Sequence, residues 1–149
     1  MNILKEISLL HRKMDMVLNL RIKKYGLSIS QYIFLQCIYD TGEMTQIDLC
    51  KNLDLDKSTV AKSLARLEKN GLVSKKVNPA DIRSVLVSLT PSANALIPEI
   101  QKICNKWIDD VTSDMTEIEK DVFLKLICKA SNRACKLYEQ STYSSLDFE

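Results

Sequence analysis

The chain has 149 residues, 46% of them hydrophobic and 27% charged, and its net charge at pH 7 is +2. This length fits one compact unit, and the balance of apolar and charged residues excludes an intrinsically disordered chain. Only three glycines and three prolines interrupt the sequence, so long uninterrupted segments favour helices over an architecture with many turns. We therefore expect a mainly α protein.

The sequence contains no apolar run of the roughly 18 residues needed to cross a bilayer, and residues 1–12 include charges but no uninterrupted apolar core. Its five cysteines show no short paired spacing and no C-x-x-C motif, so neither a disulfide framework nor a metal site is indicated. We expect a cytoplasmic protein that has no membrane partner and binds no metal.

An enzyme is the main alternative class of protein. Against it, we find no nucleophile with a matching base, no glycine-rich phosphate loop and no metal-ligand spacing. A single histidine leaves little scope for acid–base chemistry. We expect no enzymatic activity and no cofactor.

Charge is unevenly distributed along the chain. Residues 57–83 contain seven basic residues against two acidic ones, whereas residues 109–149 contain nine acidic residues against five basic ones. A basic middle segment indicates that this part of the chain meets a polyanion, while the acidic end has another role.

Apolar spacing predicts the helices of the first third of the chain. Residues three and four apart form one stripe on a first helix that ends near Gly26. The positions at this spacing are Ile3, Ile7, Leu10, Met14, Val17 and Arg21. Ser28 or Ser30 caps a second helix that stops at Thr41-Gly42. Thr45 and Asp48 have the spacing of a capping box, which predicts a short third helix through about Leu53.

A further helix begins at Asp56 and ends at Asn70-Gly71, where glycine closes a helix without steric cost. Its period places Val60, Leu64 and Leu67 inward. The opposite side carries hydroxyl and basic side chains, which are Ser58, Thr59, Lys62, Ser63 and Arg66.

The next segment alternates with a period of two at Val85, Val87 and Leu89, which predicts a strand after the polar turn 78–81. The order is therefore helix, turn (Asn52 to Leu55), helix and hairpin. Such an arrangement places the second helix in a DNA major groove and the hairpin beside it. The predicted DNA-binding residues are Lys57, Ser58, Thr59, Lys62, Ser63, Arg66, Lys75, Lys76, Asp81 and Arg83.

A simpler interpretation of Lys62, Arg66 and Lys69 is the solvated face of an amphipathic helix, since charge on an outer helix face is common. The local sequence argues for the functional interpretation. The segments 53–62 (LDLDKSTVAK), 67–73 (LEKNGLV) and 81–83 (DIR), followed by Leu89-Thr90, resemble the multiple antibiotic resistance regulator (MarR) family, with a similar layout over nearly the whole chain.

This resemblance implies a winged helix-turn-helix protein that binds a pseudo-palindromic operator as a homodimer. It implies a repressor or an activator, most simply a repressor, that in many members is released by a small molecule or an oxidant. The runner-up function is a winged helix used only for protein–protein contact. Salt separates the two, because DNA binding weakens steeply with ionic strength and an apolar protein interface does not.

The resemblance also assigns residues. It makes Asp56 to Asn70 the recognition helix and Arg83 a wing residue inserted into a minor groove, with Asp81 orienting it. A narrow minor groove attracts arginine, and a carboxylate two residues away can hold a guanidinium group. The alternative is a surface ion pair worth about 0 to 1 kcal/mol.

Two positions depart from the family pattern. Ala93 stands where a glycine is usual, and Pro98 falls about two turns into a helix that should begin near Pro91. Proline inside a helix lacks an amide hydrogen, so we expect either a kink or a late start of this helix.

Two helices predicted near the C-terminal end carry apolar stripes that are typical of a dimer interface. One stripe consists of Leu96, Ile100, Ile103, Trp107 and Val111, and another of Ile118, Val122, Leu126, Ala130, Ala134 and Leu137. This apolar surface exceeds what one chain easily covers, although the helices could instead fold back on their own chain. We predict a dimerisation region in residues 1–26 and 91–140, a DNA-binding lobe in 28–90 and a C-terminal tail in 141–149.

The remaining predictions concern an effector and the cysteines. His11 is either a surface histidine or part of an effector pocket, which Tyr25, Tyr32 and Trp107 could also line unless they are core aromatics. Cys37 and Cys128 are predicted to be buried, and packing is the expected role of all five cysteines.

Overall fold

The computed structural model describes residues 1–146, and the surroundings of side chains through residue 142. The helices are α1 (Ile3–Ile22), α2 (Ile29–Thr41), α3 (Gln46–Leu53), α4 (Lys57–Lys69), α5 (Pro91–Val111) and α6 (Glu117–Leu146), and a 3₁₀ turn (Lys23–Tyr25) follows α1. The strands are β1 (Met44–Thr45), β2 (Val73–Asn78) and β3 (Asp81–Leu89). The fold is mainly helical with a small antiparallel sheet, as predicted.

Helix α6 extends through most of the segment predicted to be a tail, and the last three residues of that segment, 147–149, lie outside the described residues. The chain forms two compact units, Met1–Trp107 and Ile108–Glu149. No described helix is both long enough and apolar enough to span a membrane.

The sheet has the order β1-β3-β2, and both pairings are antiparallel. The predicted hairpin is β2 and β3, in which Val73 lies opposite Leu89 and Val77 opposite Val85. The two-residue strand β1, which sequence analysis did not predict, pairs with β3 at Val87 and Leu86. This pairing joins the hairpin to the start of α3, so the wing is attached to the helix-turn-helix.

Helix ends follow the predicted capping chemistry. Ser28 caps α2 through a full capping box with Gln31, while Thr45 accepts the amide of Asp48 and donates its hydroxyl to the Asp48 carboxylate at 2.8 Å. Gly71 follows α4 with a φ of +71°. Because L side chains rarely adopt this conformation, glycine is the residue that allows the chain to leave α4 and enter β2.

The core of the first unit contains side chains from all five of its helices, α1, α2, α3, α4 and α5, and from the sheet. Helix α4 is therefore packed against the other elements of the unit. The fully buried members are Ile22, Leu35, Leu49, Val60, Leu64, Leu67, Val87, Ala93, Ile97 and Ile100.

Helix α5 begins at Pro91 and continues through Pro98, so the expectation of a late start is wrong. The Thr90 hydroxyl accepts the amide of Ala93 at 3.3 Å and caps the helix. Ala93 itself is completely buried. The side chain that replaces the usual glycine therefore fills core space.

The second unit begins its long helix with a capping box. The Thr116 amide and hydroxyl both donate to Glu119, and the Glu119 amide donates to the Thr116 hydroxyl. Lys120 forms a 2.7 Å ion pair with Asp109. These contacts order the start of α6.

Several large apolar side chains remain exposed on α1 and α6. They are Ile3, Leu4, Ile7 and Leu10 of α1 and Ile118, Val122, Leu126 and Leu137 of α6. The α6 residues all belong to the stripe predicted from sequence. Within one chain, these stripes keep much of their apolar surface in contact with solvent, which is unfavourable at about 25 cal/mol per Å².

Candidate DNA-binding surface

Helix α4 separates cleanly into a buried and an exposed side. Val60, Leu64 and Leu67 are completely buried and fix the helix to the core. Lys62 and Arg66 lie on the exposed side, as predicted. The helix therefore presents long cationic side chains to solvent without any contribution from them to core packing.

Its N-terminus carries a dense hydrogen-bond network around Asp56. The Asp56 carboxylate accepts the Thr59 amide and the Ser58 hydroxyl at 2.8 Å each, and the Thr59 hydroxyl at 2.7 Å. Hydrogen bonds from the Thr59 amide, the Thr59 hydroxyl and the Ser58 hydroxyl lower the pKa of Asp56 from 3.8 to about 2. Asp56 is therefore ionised and caps the helix at every pH near neutrality.

This cap predicts an acid-dependent contribution to stability. Because the pKa of folded Asp56 lies below its ordinary value, the charged cap stabilises the fold above about pH 4, and that stabilisation is lost as the pH falls towards 2. Asp56→Ala should thus lower the thermal midpoint at pH 7, and the difference from wild type should shrink in acid. Thermal melts followed by circular dichroism between pH 2 and 7 measure it; a constant difference would show that the carboxylate charge contributes nothing.

Ser63 is the one member of the predicted α4 face that is only half-exposed. It lies next to the fully buried Leu64 in the sequence. Its hydroxyl therefore has less freedom to reach a ligand than those of Ser58 and Thr59.

The tip of the hairpin is ordered by side-chain to main-chain hydrogen bonds. Asn78 accepts the Ala80 amide at 3.0 Å, and its amide group donates to the Ser84 hydroxyl at 2.9 Å. The Asp81 carboxylate accepts the main-chain amide of Arg83 at 3.0 Å. This contact differs from the predicted one, since Asp81 fixes the Arg83 backbone rather than its guanidinium group; the turn requires a partner for that amide.

Two of the predicted DNA-binding lysines form ion pairs with glutamates outside β2. Lys75 is half-buried and lies 3.7 Å from Glu68, and Lys76 lies 3.1 Å from Glu43. Surface pairs of this kind contribute little to stability. They nevertheless reduce the net positive charge that β2 presents.

The first residue of α4 and the wing line one cavity. This cavity, of about 240 Å³, brings Lys57 of α4 and Arg83 of β3 together with residues of α3. Its lining consists of Gln46, Ile47, Cys50, Lys57, Arg83, Ser84 and Val85. Of these, Gln46, Ile47, Cys50, Ser84 and Val85 are not among the residues predicted to bind DNA.

Comparisons with known proteins agree with this geometry. The model of the MarR family matches residues 27–85. Two uncharacterized HTH-type transcriptional regulators of Bacillus subtilis, YwoH and YsmB, are 32% and 30% identical to this chain over 108 residues, which is 72% of this chain and 78% and 74% of theirs. The chain belongs to the MarR family.

Solved structures of MarR proteins have the same fold. A MarR protein from Peptoclostridium difficile matches with a TM-score of 0.87 and 27% identity, covering 94% of this chain and 92% of that one. A mutant MarR from E. coli complexed with operator DNA matches with a TM-score of 0.77 and 26% identity, covering 85% and 91%. A MarR-family protein is a DNA-binding transcriptional regulator and not an enzyme, so the predictions of fold class, regulation and absence of enzymatic activity are confirmed.

The residues predicted for an effector pocket in this MarR-family regulator have different environments. His11 is exposed and lies 3.5 Å from Asp15. Tyr32 is buried, and its hydroxyl donates to Gln36 at 2.6 Å. Tyr25 and Trp107 pack against the core, as the alternative interpretation of these aromatics proposed.

A cavity of about 440 Å³ occurs elsewhere in the first unit. It is lined by Arg21, Lys24, Lys102, Ile103 and Lys106. An effector site built from His11, Tyr25, Tyr32 and Trp107 stays a prediction.

The cysteines divide by environment. Cys37 packs against the core, and burial, followed by the nearby Asp40 charge, raises the pKa of its thiol. Burial likewise raises the pKa of Cys104. Cys128 is exposed, so the prediction that it is buried is wrong. It lies on α6, where the neighbouring Leu126 and Ile127 are also exposed.

Proposed function

We propose that this MarR-family regulator is a sequence-specific double-stranded DNA-binding protein that places α4 in the major groove and the β2–β3 wing in the adjacent minor groove. The observation that carries the proposal is the exposed polar face of α4, whose opposite side is fixed to the core by three buried aliphatic side chains. Lys57, the first residue of α4, lines the same cavity as Arg83 of the wing. A helix enters a major groove about 12 Å wide when one side is free of packing.

The proposed contacts divide by position on α4. Ser58, Thr59 and Lys62 lie in the N-terminal half of the helix, which approaches base edges, whereas Arg66 lies a turn further on and meets the phosphate backbone. Arg83 supplies the minor-groove contact. Lys75 and Lys76 add weaker phosphate contacts, because each already faces a glutamate.

The second part of the proposal is a homodimer on a pseudo-palindromic operator. The exposed apolar stripes of α1 and α6 support it, since pairing with a second copy removes them from water. A twofold-symmetric dimer reads two half-sites about one helical turn apart. The simplest regulatory outcome of operator binding is repression, because a bound dimer excludes the polymerase without needing any further protein surface. An effector that binds better to another dimer geometry would release the DNA.

Selection of bound duplexes from a random double-stranded library tests the proposal. The expected result is an enriched sequence with two inverted half-sites and an affinity that falls steeply between 50 and 200 mM salt. Failure to enrich any sequence, together with a salt-insensitive protein partner, would favour the protein–protein interaction module. Reporter transcription from the selected sequence, measured with and without the protein, then distinguishes a repressor from an activator.

Lys62→Ala should change which bases are preferred at one position of each half-site, by about tenfold, because a base contact discriminates between sequences. Arg66→Ala should weaken all sequences alike and flatten the slope of log affinity against log salt by about one unit for each phosphate that is no longer neutralised. Titration of operator variants with both mutants at several salt concentrations measures these effects.

Each mutant is the control for the other, since both remove one cation from the exposed side of α4 and keep Val60, Leu64 and Leu67. An equal decrease of affinity for every operator variant with Lys62→Ala would assign Lys62 to the backbone instead.

A further inference from the structure

The Asp56 network restricts the chemistry of the two hydroxyl groups at the start of α4. A hydroxyl group has one hydrogen to donate and two lone pairs that accept. The Ser58 and Thr59 hydroxyls lie 2.8 and 2.7 Å from the Asp56 carboxylate oxygens. An ionised carboxylate only accepts hydrogen bonds, so both hydroxyl hydrogens point towards Asp56.

The network holds this orientation firmly. Both bonds are charge-assisted and short, and the Thr59 main-chain amide adds a third donor to the same carboxylate. The pKa of Asp56, about 2, keeps the carboxylate ionised. On their outward sides, Ser58 and Thr59 therefore present lone pairs alone.

We infer that Asp56 is a positioning residue for base recognition, which sets Ser58 and Thr59 to accept hydrogen bonds from adenine N6 or cytosine N4 amino groups. This inference rests on the proposed insertion of α4 into the major groove. Serine and threonine ordinarily contact donors and acceptors alike. Here the hydroxyls do not donate to guanine O6 or N7, to thymine O4 or to phosphate oxygens, all of which only accept.

Asp56→Asn should reverse the direction in which one of the two hydroxyl groups, that of Thr59, points its hydrogen. The asparagine oxygen must stay where Asp56 accepts the Thr59 amide and the Ser58 hydroxyl, because the opposite orientation would place two donors against each other. The asparagine NH₂ group then faces the Thr59 hydroxyl oxygen and donates to it. The Thr59 hydrogen turns outward, while Ser58 keeps its orientation.

The test begins with duplexes selected from a random double-stranded library by the wild-type protein and by Asp56→Asn. We expect the mutant consensus to shift at one position of each half-site from a base with an amino group, adenine or cytosine, to guanine or thymine. A purely structural cap would lower affinity for all sequences and leave the consensus unchanged.

Base analogues provide a second readout on the wild-type consensus. Purine in place of adenine, or a pyrimidinone without the amino group in place of cytosine, should reduce wild-type affinity about tenfold at the positions read by Ser58 and Thr59. Ser58→Ala and Thr59→Val should each lose that sensitivity at one position. The same analogues in the flanking duplex control for weaker base pairing.

The outcomes are distinct. If the wild-type protein enriches no sequence, the proposed function and this inference both fail. If it enriches a consensus that Asp56→Asn shares, or if analogue sensitivity persists in both hydroxyl variants, only the inference is overturned. Should Asp56→Asn not fold, as judged by circular dichroism, the analogue series decides, because Ser58→Ala and Thr59→Val retain Asp56 and its bond from the Thr59 amide.

Discussion

Leu126→Asp is expected to convert the regulator into a folded monomer at micromolar concentration and to weaken operator binding by about 100-fold. Leu126 lies in the N-terminal half of α6, and 54% of its surface is exposed within the chain. A carboxylate there is solvated in the monomer, so the chain should still fold. In a symmetric dimer, each subunit would place one such carboxylate in the interface. Two unpaired charges would then be buried, which is strongly unfavourable.

The weaker binding follows from symmetry. Two half-sites bound by one dimer share a single cost of association, whereas two monomers each incur that cost. Sedimentation equilibrium gives the oligomeric state, and titration of the selected operator gives the affinity.

Ser131→Asp is the matched control for Leu126→Asp. It adds the same charge to α6, but the helical period of 3.6 residues places residue 131 about 140° around the helix from Leu126. It should leave both the dimer and the operator affinity unchanged. A Leu126→Asp protein that remains dimeric would show that α6 does not contribute to the interface.

Features encoded by local spacing could be predicted from the sequence. The bounds of α4 agree because Asp56 is a strong cap, Val60, Leu64 and Leu67 repeat at helical spacing, and Gly71 ends the helix. Each of these signals lies within a few residues of the structure that it specifies.

Features that depend on distant partners could not be predicted. Strand β1 has only two residues and exists because Met44 and Thr45 pair with β3. The lysines of β2 contact Glu68 of α4 and Glu43, which lies between α2 and β1. Composition does not reveal such pairings, since many surface glutamates are equally available.

Helix α5 illustrates a related limit. Its predicted stripe includes Ile100, which is fully buried, but also Val111, which is exposed, and it omits Ile97, which is fully buried. Periodicity locates an apolar face, whereas the neighbouring elements decide which side of that face becomes core.

Arg83→Ala is expected to weaken operator binding by about 1 to 3 kcal/mol, or roughly 5- to 150-fold, without lowering the thermal midpoint. Arg83 is exposed at the wing, and its main-chain amide bonds to Asp81. Alanine keeps that amide, so the turn should persist. The interaction that alanine removes is the attraction of the guanidinium group to the negative potential of a narrow minor groove.

Arg83→Lys tests the mechanism of this contact. It keeps the charge, but an ammonium group is more strongly hydrated than a guanidinium group and gives up more hydration on entering a groove. We therefore expect an affinity between those of wild type and Arg83→Ala. Lys5→Ala, which removes one exposed charge from α1, should not alter binding. Titration of the operator at one fixed salt concentration measures these affinities. If Arg83→Ala binds as tightly as wild type, Arg83 makes no contact with DNA, and only α4 recognises the base sequence.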